Sequence, residues 1–111
     1  MTRYLVAHEY GHHVEYQLSI ARGARHAHDP ALMEEYAKLR GLPEQVHDGS
    51  GGRWHDSAHE VFACDFRVLV ARVEMEFWPH PGVPGPAERF GLGRWWEMRM
   101  AELAAYRQQA A

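Results

Sequence analysis

A chain of 111 residues with a formal net charge of −3 has room for one domain, residues 1–111, and carries no basic stripe of the kind nucleic acid requires. Apolar residues make up 46 % of it, which supports one modest core and argues against disorder. No stretch reaches the ~18 apolar residues that span a bilayer, and Cys64, as the single cysteine, forbids an internal disulfide. The chain therefore reads as soluble, without a signal peptide or membrane partner, and cytoplasmic if it is complete.

Four helices and no clear strand follow from the pattern, a mainly α fold. The first is expected from Thr2, a plausible N-cap, to Ala21, with Gly23 beyond its end. The second starts at Asp29-Pro30, an N-cap followed by proline in the first turn, and ends near Gly41-Leu42-Pro43. Residues 44–53 form a loop around Gly49-Ser50-Gly51-Gly52, a composition that favours mobility. The third helix starts at Asp56 or Ser57 and runs to about Phe77, with Phe62, Phe66, Leu69 and Val73 as one apolar stripe. Residues 79–86 hold four of the six prolines and read as extended. The last helix covers about Arg94 to Gln108, preceded by a short turn at Pro86–Phe90, with Trp95, Met98, Leu103 and Tyr106 able to pack inward.

The first helix carries His8-Glu9-Tyr10-Gly11-His12. An α-helix turns about 100° per residue, so His8 and His12 project from nearly one face, a turn apart. Two imidazoles so placed can share a tetrahedral Zn²⁺, and Glu9 beside them can act as general base on a metal-bound water without being a ligand. Gly11 permits close approach of another helix. Two histidines leave zinc one protein ligand short of a His₂Glu site. Glu60 is our choice for the third, giving a site between the first and third helices. The competing role for Glu60 is a capping box, Ser57-Ala58-His59-Glu60, in which it would cap its own helix.

His13 points away from the ligand face and reads as a surface residue or a support for the ligands, and His59 has an equally small claim to a ligand role. Asp56 suits an N-cap better than an orienting carboxylate. Cys64 reads as buried and inert, although it follows Glu60 by one turn and could face the metal. Asp65 could hydrogen-bond a zinc histidine, an alternative to a surface role. Arg53 and His55 precede the glutamate helix where an electrophile is needed, although solvation in the loop is the plainer reading. Trp54, Trp95 and Trp96 read as core rather than as a platform for substrate.

His8-Glu9-Tyr10-Gly11-His12 together with Glu60-Val61-Phe62-Ala63-Cys64-Asp65-Phe66 resembles the small gluzincin metallopeptidases, most closely catalytic domains similar to anthrax toxin lethal factor. The extended metzincin pattern is absent, Leu18 standing where its third histidine would be. The resemblance covers about residues 4–16 and 54–67. It implies Zn²⁺ on His8, His12 and Glu60, Glu9 as base, and a peptide or protein substrate. The chain departs from the family in three ways. Cys64 stands at a helix position that usually holds an acid; no Tyr lies between Tyr36 and Tyr106 to stabilise an oxyanion; and only seven residues precede His8, where the family has a β-sheet. The alternative expectation is a non-catalytic helical zinc-binding or protein-interaction domain derived from such a peptidase.

Overall fold

The computed structural model describes residues 3–25, 28–45, 57–73 and 86–110. Four helices account for most of these: α1 (Arg3–Ala21), α2 (Pro30–Arg40), α3 (Ala58–Leu69) and α4 (Pro86–Ala110), with no strand among the described residues. None of them is long and apolar enough to cross a membrane. The expected N-cap Thr2, the glycine-rich centre of the 44–53 loop, Arg53, Trp54, His55 and Asp56 lie outside the described residues, as does the proline-rich segment before Pro86.

The ends of α1 and α2 follow from local chemistry. Gly23 is left-handed (φ 84°), and the N–H groups of Gly23 and Ala24 donate to the carbonyls of Ile20 and Ser19 at 2.9 and 3.0 Å. Asp29 caps α2 by accepting from Ala31 N–H at 3.0 Å, with Pro30 in the first turn. Gly41 closes α2 in the left-handed region (φ 66°), and Leu42 beyond it packs on the core.

Two expectations need correction. α3 ends at Leu69, not near Phe77. Val70 and Ala71 N–H both donate to Phe66 O at 3.0 Å, and Arg72 takes a left-handed conformation (φ 58°). The chain then folds back, Val73 N–H donating to Arg67 O while the Arg67 guanidinium donates to Val73 O at 2.7 Å. Val73 continued the apolar stripe in sequence, but a buried arginine captures its backbone first. The last helix is also longer than expected, because Pro86, rather than opening a separate turn, starts one helix that runs to Ala110. Its inward line is Leu92, Trp96 and Leu103, each at most 5 % exposed, while Met98, about 200° around the helix from Trp96, is 53 % exposed.

Helix α3 is the central element, buried along Val61–Val68 and packed against α1, α2 and α4. Tyr36, Phe62, Trp95 and Trp96 form one aromatic cluster, with ring centroids 4.5 to 6.2 Å apart. A polar chain crosses this core. Trp96 Nε1–H donates to the Tyr36 hydroxyl at 3.2 Å, Tyr36 donates to Asp65, and Arg40 Nε–H donates to Asp65 at 2.7 Å. Burial pushes the Asp65 carboxyl above its usual range, and the Arg40 guanidinium pulls it back.

Helices α1 and α3 approach closely at Gly11. A Cβ there would lie 2.8 Å from Ala63 Cα and 2.9 Å from Ala63 O. These are backbone atoms, which no rotamer change can move. Gly11→Ala is therefore expected to force the helices apart at about 3 kcal/mol, the upper range for overpacking. The gain in helix propensity returns only about 1 kcal/mol. A net loss of about 2 kcal/mol should lower the melting temperature by roughly 10 °C in a domain of this size. An unchanged melting temperature in a thermal scan would refute the tight approach.

Candidate metal centre

The i, i+4 spacing on α1 brings the His8 and His12 rings together, with centroids 4.8 Å apart and Nε2 atoms 3.1 Å apart. Because Gly11 lets α3 approach, Glu60 reaches both. Its Oε2 lies 2.9 Å from His8 Nε2 and its Oε1 3.3 Å from His12 Nε2. Ser57 sits at the N-cap of α3, but its side chain makes no cap hydrogen bond. The amide of Ala58 instead donates to Gln45 Oε1 at 2.7 Å. Glu60 is thus drawn across to α1 and not into a reciprocal capping box.

The three side chains fit a zinc ion. Zn–N and Zn–O bonds of about 2.0–2.1 Å in a tetrahedron place ligand atoms about 3.3–3.4 Å apart. The two nitrogens are 3.1 Å apart, Glu60 turns a different oxygen to each of them, and one ligand atom from each residue lies within 4.8 Å of the others, so an ion at the centre is reached by rotation of the carboxylate. Two imidazole nitrogens and a carboxylate oxygen form the His₂Glu set of hydrolytic zinc sites and leave the fourth position open. Electrostatics agree with a cation here. Hydrogen bonds from His12 and then His8 hold the Glu60 carboxyl well below the usual carboxylate range. The Glu60 hydrogen bond likewise raises His12, although burial opposes it.

Glu9 is exposed, stands outside the group of converging ligand atoms, and is close enough for its charge to favour protonated His12. His13 is also exposed. Its ring lies between those of Tyr10 and Tyr16, 5.6 and 6.4 Å away, in an outward-facing row.

Cys64, one turn after Glu60, faces the site with its Sγ 3.3 Å from His8 Nδ1. Burial pushes its thiol up to about 11, and the sulfur lies at the Nδ1 edge of the ring, outside the group of converging ligand atoms. The Nδ1 edge of His8 thus faces sulfur, while its Nε2 faces Glu60 and the position a metal would take. Cys64 therefore stands against the ligand histidine, and Asp65 does not. Asp65 is five residues after Glu60, about 140° around the helix, and is 2 % exposed. Its hydrogen bonds go to Tyr36 and Arg40 and not to either ligand histidine, so its role is in the core. Trp96 is buried in that core, and Trp95 packs against it.

Sequence reasoning missed a second convergence. Glu15 is fully buried and meets His28 Nδ1 at 2.6 Å and His59 Nδ1 at 2.7 Å. One signal was present. Gly11, Val14 and Leu18 define the inward face of α1, and Glu15 lies on it as a lone charge. His28, on the connection between helices, carried no signal of its own.

Comparison with protein-family models, with curated proteins and with solved structures finds no match to this chain.

Proposed function

We propose that this chain is a zinc-dependent metallopeptidase domain of gluzincin type, hydrolysing peptide bonds with Glu9 as general base. One observation carries the reading. Glu60, borne on a separate helix, does not join a capping box with Ser57 and instead turns one oxygen to each histidine of the HExxH helix, at 2.9 and 3.3 Å. His8, His12 and Glu60 hold the metal, and Cys64 steadies the His8 ring from behind. A zinc ion held there would act as a Lewis acid and would lower the pKa of a water bound to it to about 7. Glu9, free of the ligand set, accepts the proton of the attacking water and delivers it to the leaving amine. The substrate is a peptide or protein.

The direct test is digestion of an unfolded protein by the zinc-loaded chain, with and without a chelator. Chelator-sensitive cleavage is the expected result, at a low rate. The family's oxyanion tyrosine has no counterpart between Tyr36 and Tyr106, and loss of one such donor typically costs ~10²–10³ in rate. Arg53 and His55 are the candidate substitutes, so an Arg53→Ala/His55→Ala variant should be slower still. Rapid cleavage by the parent and the double variant alike would remove any role for these two residues. Cleavage that survives full removal of metal would defeat the proposed chemistry.

A second reading, a non-catalytic zinc-binding or protein-interaction domain, is favoured by the buried thiol at position 64, which polarises a ligand imidazole less than a carboxylate does. It is the better reading if the chain binds zinc yet cleaves nothing.

A further inference from the structure

We propose that Glu15, His28 and His59 form a second metal site, of the zinc class, which fastens the connection between α1 and α2 to α3. One ligand atom from each of Glu15, His28 and His59 lies within 4.8 Å of the other two. His28 Nδ1 is 2.6 Å from Glu15 Oε2, and His59 Nδ1 is 2.7 and 2.9 Å from the two carboxylate oxygens. The two rings meet edge to face with centroids 4.5 Å apart. They come from different parts of the chain, His28 from the turn before α2 and His59 from the first turn of α3, and both aim the same nitrogen at one carboxylate.

Burial explains why that convergence points to a cation. The Glu15 side chain has no solvent exposure. A carboxylate so placed is costly unless it is paired or bound to a metal. Its neighbours here are imidazoles, which donate hydrogen bonds but carry no charge when neutral. A divalent ion at the centre takes a lone pair from each Nδ1 and one from the carboxylate, and cancels the buried charge. Two imidazoles and one carboxylate select zinc, nickel or copper over calcium or magnesium, which prefer oxygen. The side chain of His28 is 58 % exposed, which opens a path for the ion and leaves room for a water ligand.

The surroundings suit a structural clasp. The residue after His28 is Asp29, whose N–H donates to the buried Ser19 hydroxyl of α1 at 2.9 Å and whose carboxylate caps α2. Metal on Glu15, His28 and His59 therefore binds α1, the start of α2 and α3 at one point. The site shares no ligand with His8, His12 and Glu60, so the two are separable by mutation.

The experiment is zinc stoichiometry by equilibrium dialysis of the untagged chain in a zinc-buffered solution, with melting temperature as a second measurement. The parent should bind two zinc ions per chain. His28→Ala should bind one, as should His8→Ala/His12→Ala, and zinc should still raise the melting temperature of the latter but not of a triple variant that adds His28→Ala. Because His28 is mostly exposed, its replacement should leave the helical circular dichroism unchanged. A parent that binds one zinc, keeps it in His28→Ala and loses it in His8→Ala/His12→Ala overturns the second site and leaves the proposed function standing. A single zinc with the opposite sensitivity supports the second site and removes the metal from the proposed catalytic one. Cobalt in place of zinc gives an independent count through its visible absorption.

Discussion

Glu9→Gln is expected to keep the zinc of the His8, His12 and Glu60 site and to abolish measurable hydrolysis. Gln preserves the size of the side chain and can still hydrogen-bond, but it cannot take a proton. General-base catalysis is typically worth ~10²–10⁴ in rate, and a slow parent enzyme would fall to background on losing it. Zinc retention follows from geometry, because the ligand atoms of His8, His12 and Glu60 converge without Glu9. Zinc content and cleavage rate should be measured on the same sample, since loss of metal would mimic loss of base. A Glu9→Gln protein that is zinc-loaded and cleaves at the parent rate would remove Glu9 from the mechanism.

Glu60→Ala and Asp65→Ala should fail in opposite ways. Glu60→Ala removes one of the three proposed ligands from a partly buried position, so the proposed catalytic site should release zinc while the fold persists. Asp65→Ala should retain zinc but strip Arg40 and Tyr36 of their buried partner. Tyr36 is fully buried, so its hydroxyl would lose the carboxylate it donates to. Removing the partner of a buried donor costs about 1–3 kcal/mol, more where the lost partner is charged, against a total of about 5–15 kcal/mol for a whole domain. Urea titration would show a large drop in the unfolding midpoint for Asp65→Ala, and zinc analysis below that midpoint would show the metal still bound. If Asp65→Ala, while folded, loses zinc and Glu60→Ala keeps it, the ligand assignment is wrong.

These contrasts mark what could be read from the chain alone. The histidine pair was legible because helical spacing fixes which face a side chain takes, and α1 has few competing signals. Glu60 was legible as a partner, but its choice between capping and crossing depends on how closely α3 meets α1 at Gly11. Asp65 was misjudged by neglecting its angle from Glu60, which turns it toward Tyr36 and Arg40. The stop of α1 and the start and stop of α2 lay in Gly23, Asp29-Pro30 and Gly41, residues whose backbone preferences act locally. The end of α3 did not, because Arg67 folds the chain back through its own side chain. The meeting of Glu15, His28 and His59 was hidden for a related reason. It joins three segments, and no sequence interval marks it.

The contact at Gly11 also limits how this protein can vary. The atoms that a Cβ at position 11 would meet belong to the main chain of Ala63, and every amino acid at position 63 carries them. No second-site change at 63, glycine included, can therefore compensate for a larger residue at 11. The two positions should drift independently, with 11 held at glycine while 63 accepts any residue its own surroundings admit. In a library randomised at both, functional clones should be monomorphic at one site and mixed at the other, the reverse of the paired changes by which touching side chains commonly accommodate each other.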